Sequence, residues 1–232
     1  MKKQFFTSLM LLLCFIAVKA QDNCSTFYPM TEGATYQYNL YDKKDKPSGS
    51  TTYNVKAVNN DGGNTTATMS VVVGGEKPKD QMELEYEVTC TGDGISIDFN
   101  SMLSPQLQSQ VEQMNAEIDI SGTNIEIPNN LSVGQDLGDA ELIMAMSMSG
   151  IKMNTEVKTT DRKVIAKETV TTPAGTFDCY VLTSTISSKA MMAKMTFTDK
   201  LWLSEGVGIV KQESYNKKGK LDSRMELASF SK

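Results

Sequence analysis

The chain has 232 residues, 28 acidic against 23 basic, and no histidine. The acidic balance argues against a nucleic-acid partner, which calls for a basic stripe. The missing histidine removes Ser-His and Cys-His nucleophile pairs and His-ligated zinc.

The first 20 residues read as an export leader. Lys2 and Lys3 form a positive start, an apolar run extends from Phe5 to Val18, and Val18-Lys19-Ala20 supplies the compact residues a signal peptidase requires. Cleavage is expected after Ala20. The run is too short for a spanning helix, which needs roughly 20 apolar residues, and no later stretch approaches that length. A lipoprotein leader would put a Cys at the cleavage point. Cys14 lies inside the apolar run and Cys24 comes after Gln21-Asp22-Asn23, so neither fits. With the leader gone, 20 basic residues face 28 acidic ones, a net charge of about −8. That balance favours solubility over adhesion to anionic lipid. The mature chain is read as an irregular segment, 21–34, and then one β-rich domain, 35–232.

Period-2 patterning dominates the mature chain. In the first half strands are predicted at Thr35–Tyr41, Ser50–Val58, Thr65–Val73, Met82–Cys90 and Ile95–Phe99. The clearest is Met82–Cys90, where Met82, Leu84, Tyr86, Val88 and Cys90 share one face and Glu83, Glu85 and Glu87 the other. The acidic row reads as a solvated face, since nothing supplies a closing turn of oxygen ligands for a cation. Ser104 and Pro105 then suit the start of a short amphipathic helix, Pro105–Met114, with Leu107, Val111 and Met114 as its apolar stripe. That stripe is expected to pack on the sheet or close its open side as a lid. In the second half strands are predicted at Glu141–Ser149, Lys152–Thr159, Arg162–Thr171, Thr176–Thr185, Ala190–Thr198, Lys200–Leu203, Gly208–Tyr215 and Lys220–Phe230. Gly-rich and Asn/Asp-rich turns separate them, as in a meander of hairpins.

Three Cys survive cleavage, which suits one disulfide and one free thiol outside the cytoplasm. Three pairings are open. Position favours Cys24 with Cys90, because Cys24 sits in the irregular segment and Cys90 ends a strand. Cys179, in step with Phe177 and Val181, suits a buried free thiol.

Catalytic signatures are scarce. The chain has no Cys-x-x-Cys, phosphate loop or dinucleotide fingerprint. A carboxylate pair for hydrolysis is invisible in sequence and stays as a weak alternative. Methionine is the unusual feature, 15 residues in all. Met144, Met146 and Met148 alternate on one predicted face, Met153 lies on the next strand, and Met191, Met192 and Met195 lie on another. Adjacent Met191 and Met192 cannot both face inward on a regular strand. The group reads as core filler, as a flexible lining for a hydrophobic ligand, or as a soft-metal site. The metal reading is weakest, because alternate strand residues stand roughly 6.6–7 Å apart and no histidine assists.

Several stretches resemble a family: Cys24-Ser25-Thr26-Phe27-Tyr28-Pro29 with Glu32-Gly33; Tyr86–Cys90 running into Gly94–Phe99; Pro128-Asn129-Asn130-Leu131 through Gly134; Pro173-Ala174-Gly175-Thr176-Phe177 through Cys179; and Trp202-Leu203 with Glu205-Gly206-Val207-Gly208. Together they resemble the TapB-like exported proteins of Bacteroidota, over nearly the whole mature chain. The resemblance implies a twisted antiparallel sheet curled into a half-open barrel, similar in shape to periplasmic carriers of acyl chains. It makes Cys24 and Cys90 partners and brings no catalytic residues.

The expectation is therefore an all-β protein, a long antiparallel meander in a half-open barrel with one short helix. It is expected in the periplasm or outside the cell, non-catalytic, without cofactor or metal, and without a membrane span. Its partner is expected to be a hydrophobic ligand or an envelope protein. A purely structural envelope module is the alternative.

Overall fold

Alternation of apolar and polar residues along most of the chain gives strands, and the strands form one sheet. The computed structural model describes residues 24–74, 81–103, 105–113, 115–190 and 193–232. The predicted leader, Ser104, Met114, Met191 and Met192 lie outside the described residues. The strands are β1 (Thr35–Tyr41), β2 (Pro47–Asp61), β3 (Asn64–Gly74), β4 (Gln81–Cys90), β5 (Gly94–Asp98), β6 (Ala116–Thr123) and β7 (Ile125–Pro128). They continue with β8 (Ala140–Met148), β9 (Ile151–Thr172), β10 (Gly175–Ala190), β11 (Ala193–Ser204), β12 (Gly208–Asn216) and β13 (Leu221–Ser231). A 3-10 turn at Asn100–Met102 and the helix α1 (Pro105–Gln113) interrupt the strands.

All pairings are antiparallel, in the order β6-β8-β9-β10-β11-β12-β13-β1-β2-β3-β4-β5-β7. The result is a nearly closed, barrel-like sheet with very little helix. The meander holds from β8 to β13 and from β1 to β5, and β1 pairs with β13 to join the two runs. At the edges the order departs from a meander. The two edge strands, β6 and β7, are consecutive in the chain, with Asn124 alone between them. One continuous stretch thus pairs with β8 through its first half and with β5 through its second. The sequence pattern predicts no strand in this region.

Glycine lets the edges approach closely. Gly122 on β6 has φ +146°, and a side chain there would collide with the Glu141 carbonyl of β8. Gly94 on β5 is met in the same way by the backbone of Ile127 and Pro128 on β7. The seam is then sealed from β9. The loop after β7 continues the ladder through Gly134 N to Val164 O (2.7 Å), Val164 N to Gln135 O (2.9 Å) and Leu137 N to Arg162 O (2.8 Å). Arg162 itself is buried, and its guanidinium donates to Glu126 O of β7 (2.9 Å) and Gly138 O (2.5 Å).

Two predicted strand pairs prove to be single strands. Lys152–Thr159 and Arg162–Thr171 belong to β9, which bends at a bulge where Asp161 takes φ +51°. Lys200–Leu203 and most of Ala190–Thr198 belong to β11.

The core fills one end of the barrel. Val55, Ala67, Val88, Cys90, Val164, Leu203 and Leu227 line it, and the N-terminal segment inserts Phe27 and Ala34 among them. Cys24 is joined to Cys90, with an S–S distance of 2.15 Å. Asn129 clamps the same segment. It donates to Cys24 O and Gly92 O (both 2.8 Å) and accepts from Thr26 N (2.8 Å). Gly206 N, in the β11–β12 turn, donates to Thr26 O (2.7 Å). This end of the barrel is plugged. Cys179 is free and buried in a smaller cluster with Val181, Trp202 and Val210.

Replacing Arg162 by Met leaves two backbone carbonyls at the seam without their charged donor. We expect a loss of about 2 kcal/mol in urea unfolding, with faster amide exchange concentrated in β6 and β7. Unchanged stability and uniform exchange would show that the seam does not depend on Arg162.

Candidate functional site

Residues paired across neighbouring strands project to the same face. The registers therefore sort the side chains of the other half of the barrel without ambiguity. Ile118, Met146 and Met153 form one row across β6, β8 and β9. Ile120, Met144 and Thr155 form the next. Leu142, Val157, Ser188 and Met195 form a third, running on to β10 and β11. Along β10 this face continues through Ile186 to Leu182, which belongs to the core. The sulfur-bearing residues thus lie on the inner, concave face.

The outer face of the same strands is mostly polar, with Ile143 and Ala145 as its apolar members on β8. Glu117 and Asp119 alternate with Ile118 and Ile120, and Lys158 bridges Glu141 (3.1 Å) and Glu156 (2.7 Å).

Burial falls along the inner face toward the mouth. Met144, Met146 and Met153 are half-buried, whereas Met148 is 41 % and Met195 53 % exposed. The structure thus brings Met144, Met146, Met148 and Met153 together and sets Met195 on the same face further round. Helix α1 packs chiefly on β6 and buries Val111. The side chain of Leu107 lies outside the described residues.

Two polar features on the inner face escaped the sequence. The first is Asp199 on β11. It is buried and accepts hydrogen bonds from Ser214 Oγ (2.6 Å) and Gln212 Nε2 (2.9 Å) of β12. Its cross-strand neighbours are Ser184 and Ser214, neither charged. Burial raises its carboxyl above the ordinary 3.8, against the lowering effect of the two hydrogen bonds.

The second is a pocket next to the plug, with a cavity of about 40 Å³. Five of the eight tyrosines in the chain line it: Tyr28, Tyr36, Tyr38, Tyr53 and Tyr86. The remaining wall includes Met69 and the Val207–Ile209 stretch. Tyr38 donates to Ile209 O (2.9 Å) and packs edge-on against Tyr53 at 5.5 Å. Tyr36 stacks parallel to Phe230, yet its buried hydroxyl has no partner among the described residues. Burial pushes the Tyr36 phenol up to about 12 and raises the other four as well. The alternation Tyr36-x-Tyr38 was the one local signal. The convergence of Tyr53 and Tyr86 on them comes from register, and Tyr28 arrives with the N-terminal segment.

Outside the barrel, a groove of about 300 Å³ runs past Glu168, Asp178 and Cys179. Burial, aided by Asp178 and Glu168, pushes the Cys179 thiol up to about 11, away from reactivity. Among the described residues, no three acidic or cysteine side chains converge to hold a metal ion, and no helix is long and apolar enough to cross a membrane.

The nearly closed antiparallel sheet matches a fold described as YmcC-like. A protein of Bacteroides fragilis with that fold, assigned as exported, matches at TM-score 0.70 and 21 % identity, over 90 % of this chain and 100 % of its own. One of Parabacteroides distasonis, assigned as a lipoprotein, matches at 0.69 and 25 %, over 89 % and 99 %. The DUF3108-like family matches residues 31–227, and the chain belongs to it. No curated protein matches.

The raised Asp199 carboxyl has a definite sign. A carboxyl whose pKa is higher in the folded state stabilises the fold below its unfolded pKa, and that contribution is lost as pH rises through the folded pKa. Asp199→Asn should therefore melt at higher temperature than the parent at pH 7, and the gap should close as pH falls below about 4. A lower melting temperature at pH 7 would mean that the carboxylate is instead stabilising.

Proposed function

We propose that the protein is an exported, non-catalytic binding protein that holds a hydrophobic ligand, such as a lipid tail, in the mouth of its barrel. One observation carries this reading. The strands β6, β8 and β9 turn an apolar face inward, only half-buried at Met144, Met146 and Met153, and a mostly polar face outward. A sheet that needed only solubility would cover that apolar face with other parts of itself. Methionine suits such a lining, because its unbranched, polarisable side chain repacks around varied shapes.

Export is supported by the leader-like start, by the Cys24–Cys90 bond and by what the two structural relatives are assigned to be. The narrower likeness to the TapB-like proteins belongs to the same reading. The lack of catalysis rests on the absence of histidine and of recognisable motifs. A structural envelope module is the second reading, favoured by the wide exposure of Met148 and Met195 at the rim.

Native mass spectrometry of gently purified protein should show a bound lipid, and a fluorescent fatty acid should bind it with saturation. Changing Met144, Met146 and Met153 together to Ser should weaken that binding at least tenfold. Because these side chains are half-buried, each change should cost well below the ~2–5 kcal/mol of a fully buried site. A protein that carries nothing and takes up no fluorescent fatty acid returns the methionines to mere packing.

A further inference from the structure

We infer that the tyrosine pocket is a polar subsite for an uncharged hydrogen-bond acceptor, such as an ester or amide carbonyl, with Tyr36 as the donor. The inference rests on the barrel taking an apolar chain, and names the chemistry at the other end of that ligand.

Three observations lead there. Tyr36 Oη is buried with no partner among the described residues, while its ring lies parallel to that of Phe230. Folding leaves few buried hydroxyls unpaired, and those that remain call for an explanation in function or in bound solvent. Tyr36 is also one of the residues that line a real cavity. Its volume of about 40 Å³ exceeds the roughly 10–15 Å³ that a single water needs, but is far below the several hundred Å³ of a site for a whole drug-sized ligand. A single functional group fits.

The lining fixes the charge of that group. Among the described residues it consists of tyrosines, proline, methionine and the Val207–Ile209 stretch, with no Lys, Arg, Asp or Glu. A carboxylate or ammonium placed there would be buried without a counter-charge, which is strongly unfavourable. The phenols stay protonated across the physiological range, so Tyr36 is a permanent donor. Tyr38 is already committed to Ile209 O. The subsite therefore selects a neutral acceptor over an ionised acid of the same chain length.

The test compares three C16 ligands by displacement of a bound naphthalene dye at pH 8: hexadecane, methyl palmitate and palmitate. The ester should bind about tenfold more tightly than the alkane, as one buried hydrogen bond implies, and also more tightly than the carboxylate. Tyr36→Phe keeps the ring and removes the hydroxyl. It should abolish the preference for the ester and leave alkane affinity unchanged. Equal affinity for ester and alkane, or a preference that survives Tyr36→Phe, would overturn the proposal and leave the cavity to water.

If none of the three binds, the hollow itself is not a ligand site. The subsite is then judged by titrating methyl acetate into protein labelled at the tyrosine rings. A saturable shift of Tyr36 supports it; no shift refutes it. Melting curves of Tyr36→Phe establish that the variant is folded.

Discussion

The barrel depends on a single stretch of chain being both edges of its sheet. A strand edge with unpaired amides and carbonyls invites pairing with another molecule, and closure removes that hazard. Here β6 and β7 meet at Asn124, so each half of the stretch satisfies a different side of the seam. Glycines at 94 and 122 permit the close approach, and Arg162 reaches across from β9 to cover carbonyls that the ladder misses. The interior exists only because this stretch bends the two ends of the sheet together.

Closure is uneven along the barrel axis, and that unevenness is what suggests binding. At one end, Phe27 and its neighbours fill the space, and stretches far apart in sequence meet there. Asn129, Gly92 and Gly206 all bond to the segment around Cys24–Thr26 or to its clamp, and Val207–Ile209 forms one wall of the tyrosine pocket. At the other end the same inner face is apolar but only partly covered. The polarity of the interior grades from phenols and the Asp199 carboxyl to thioethers at the rim.

Strong alternation made most of the strands legible. Met82–Cys90 could be nothing else, and the methionines of β8 fell on one face as their spacing implied. The edge strands were overlooked because the breaks at Gly122, Asn124 and Pro128 resemble loop signals, although Ile118 and Ile120 alternate with acids. The bulge at Asp161 divided β9 in the pattern without dividing it in space. The tyrosine pocket was hidden for another reason. Its tyrosines come from the N-terminal segment and from β1, β2 and β4, and only the strand registers and the insertion of that segment bring them together. Asp199 carries no signal in the sequence, since its burial depends on Gln212 and Ser214 of a neighbouring strand.

The bond between Cys24 and Cys90 makes the floor of the interior conditional on the redox state around it. It ties the plugging segment to β4 across 66 residues of chain, and breaking it would leave that segment held by hydrogen bonds with Asn129, Gly206 and Val55 and by the packing of Phe27, Met30 and Ala34. In an oxidising space the barrel has one mouth. In a reducing one, the lower opening would be stoppered by non-covalent contacts only, and a vessel would come closer to being a tube.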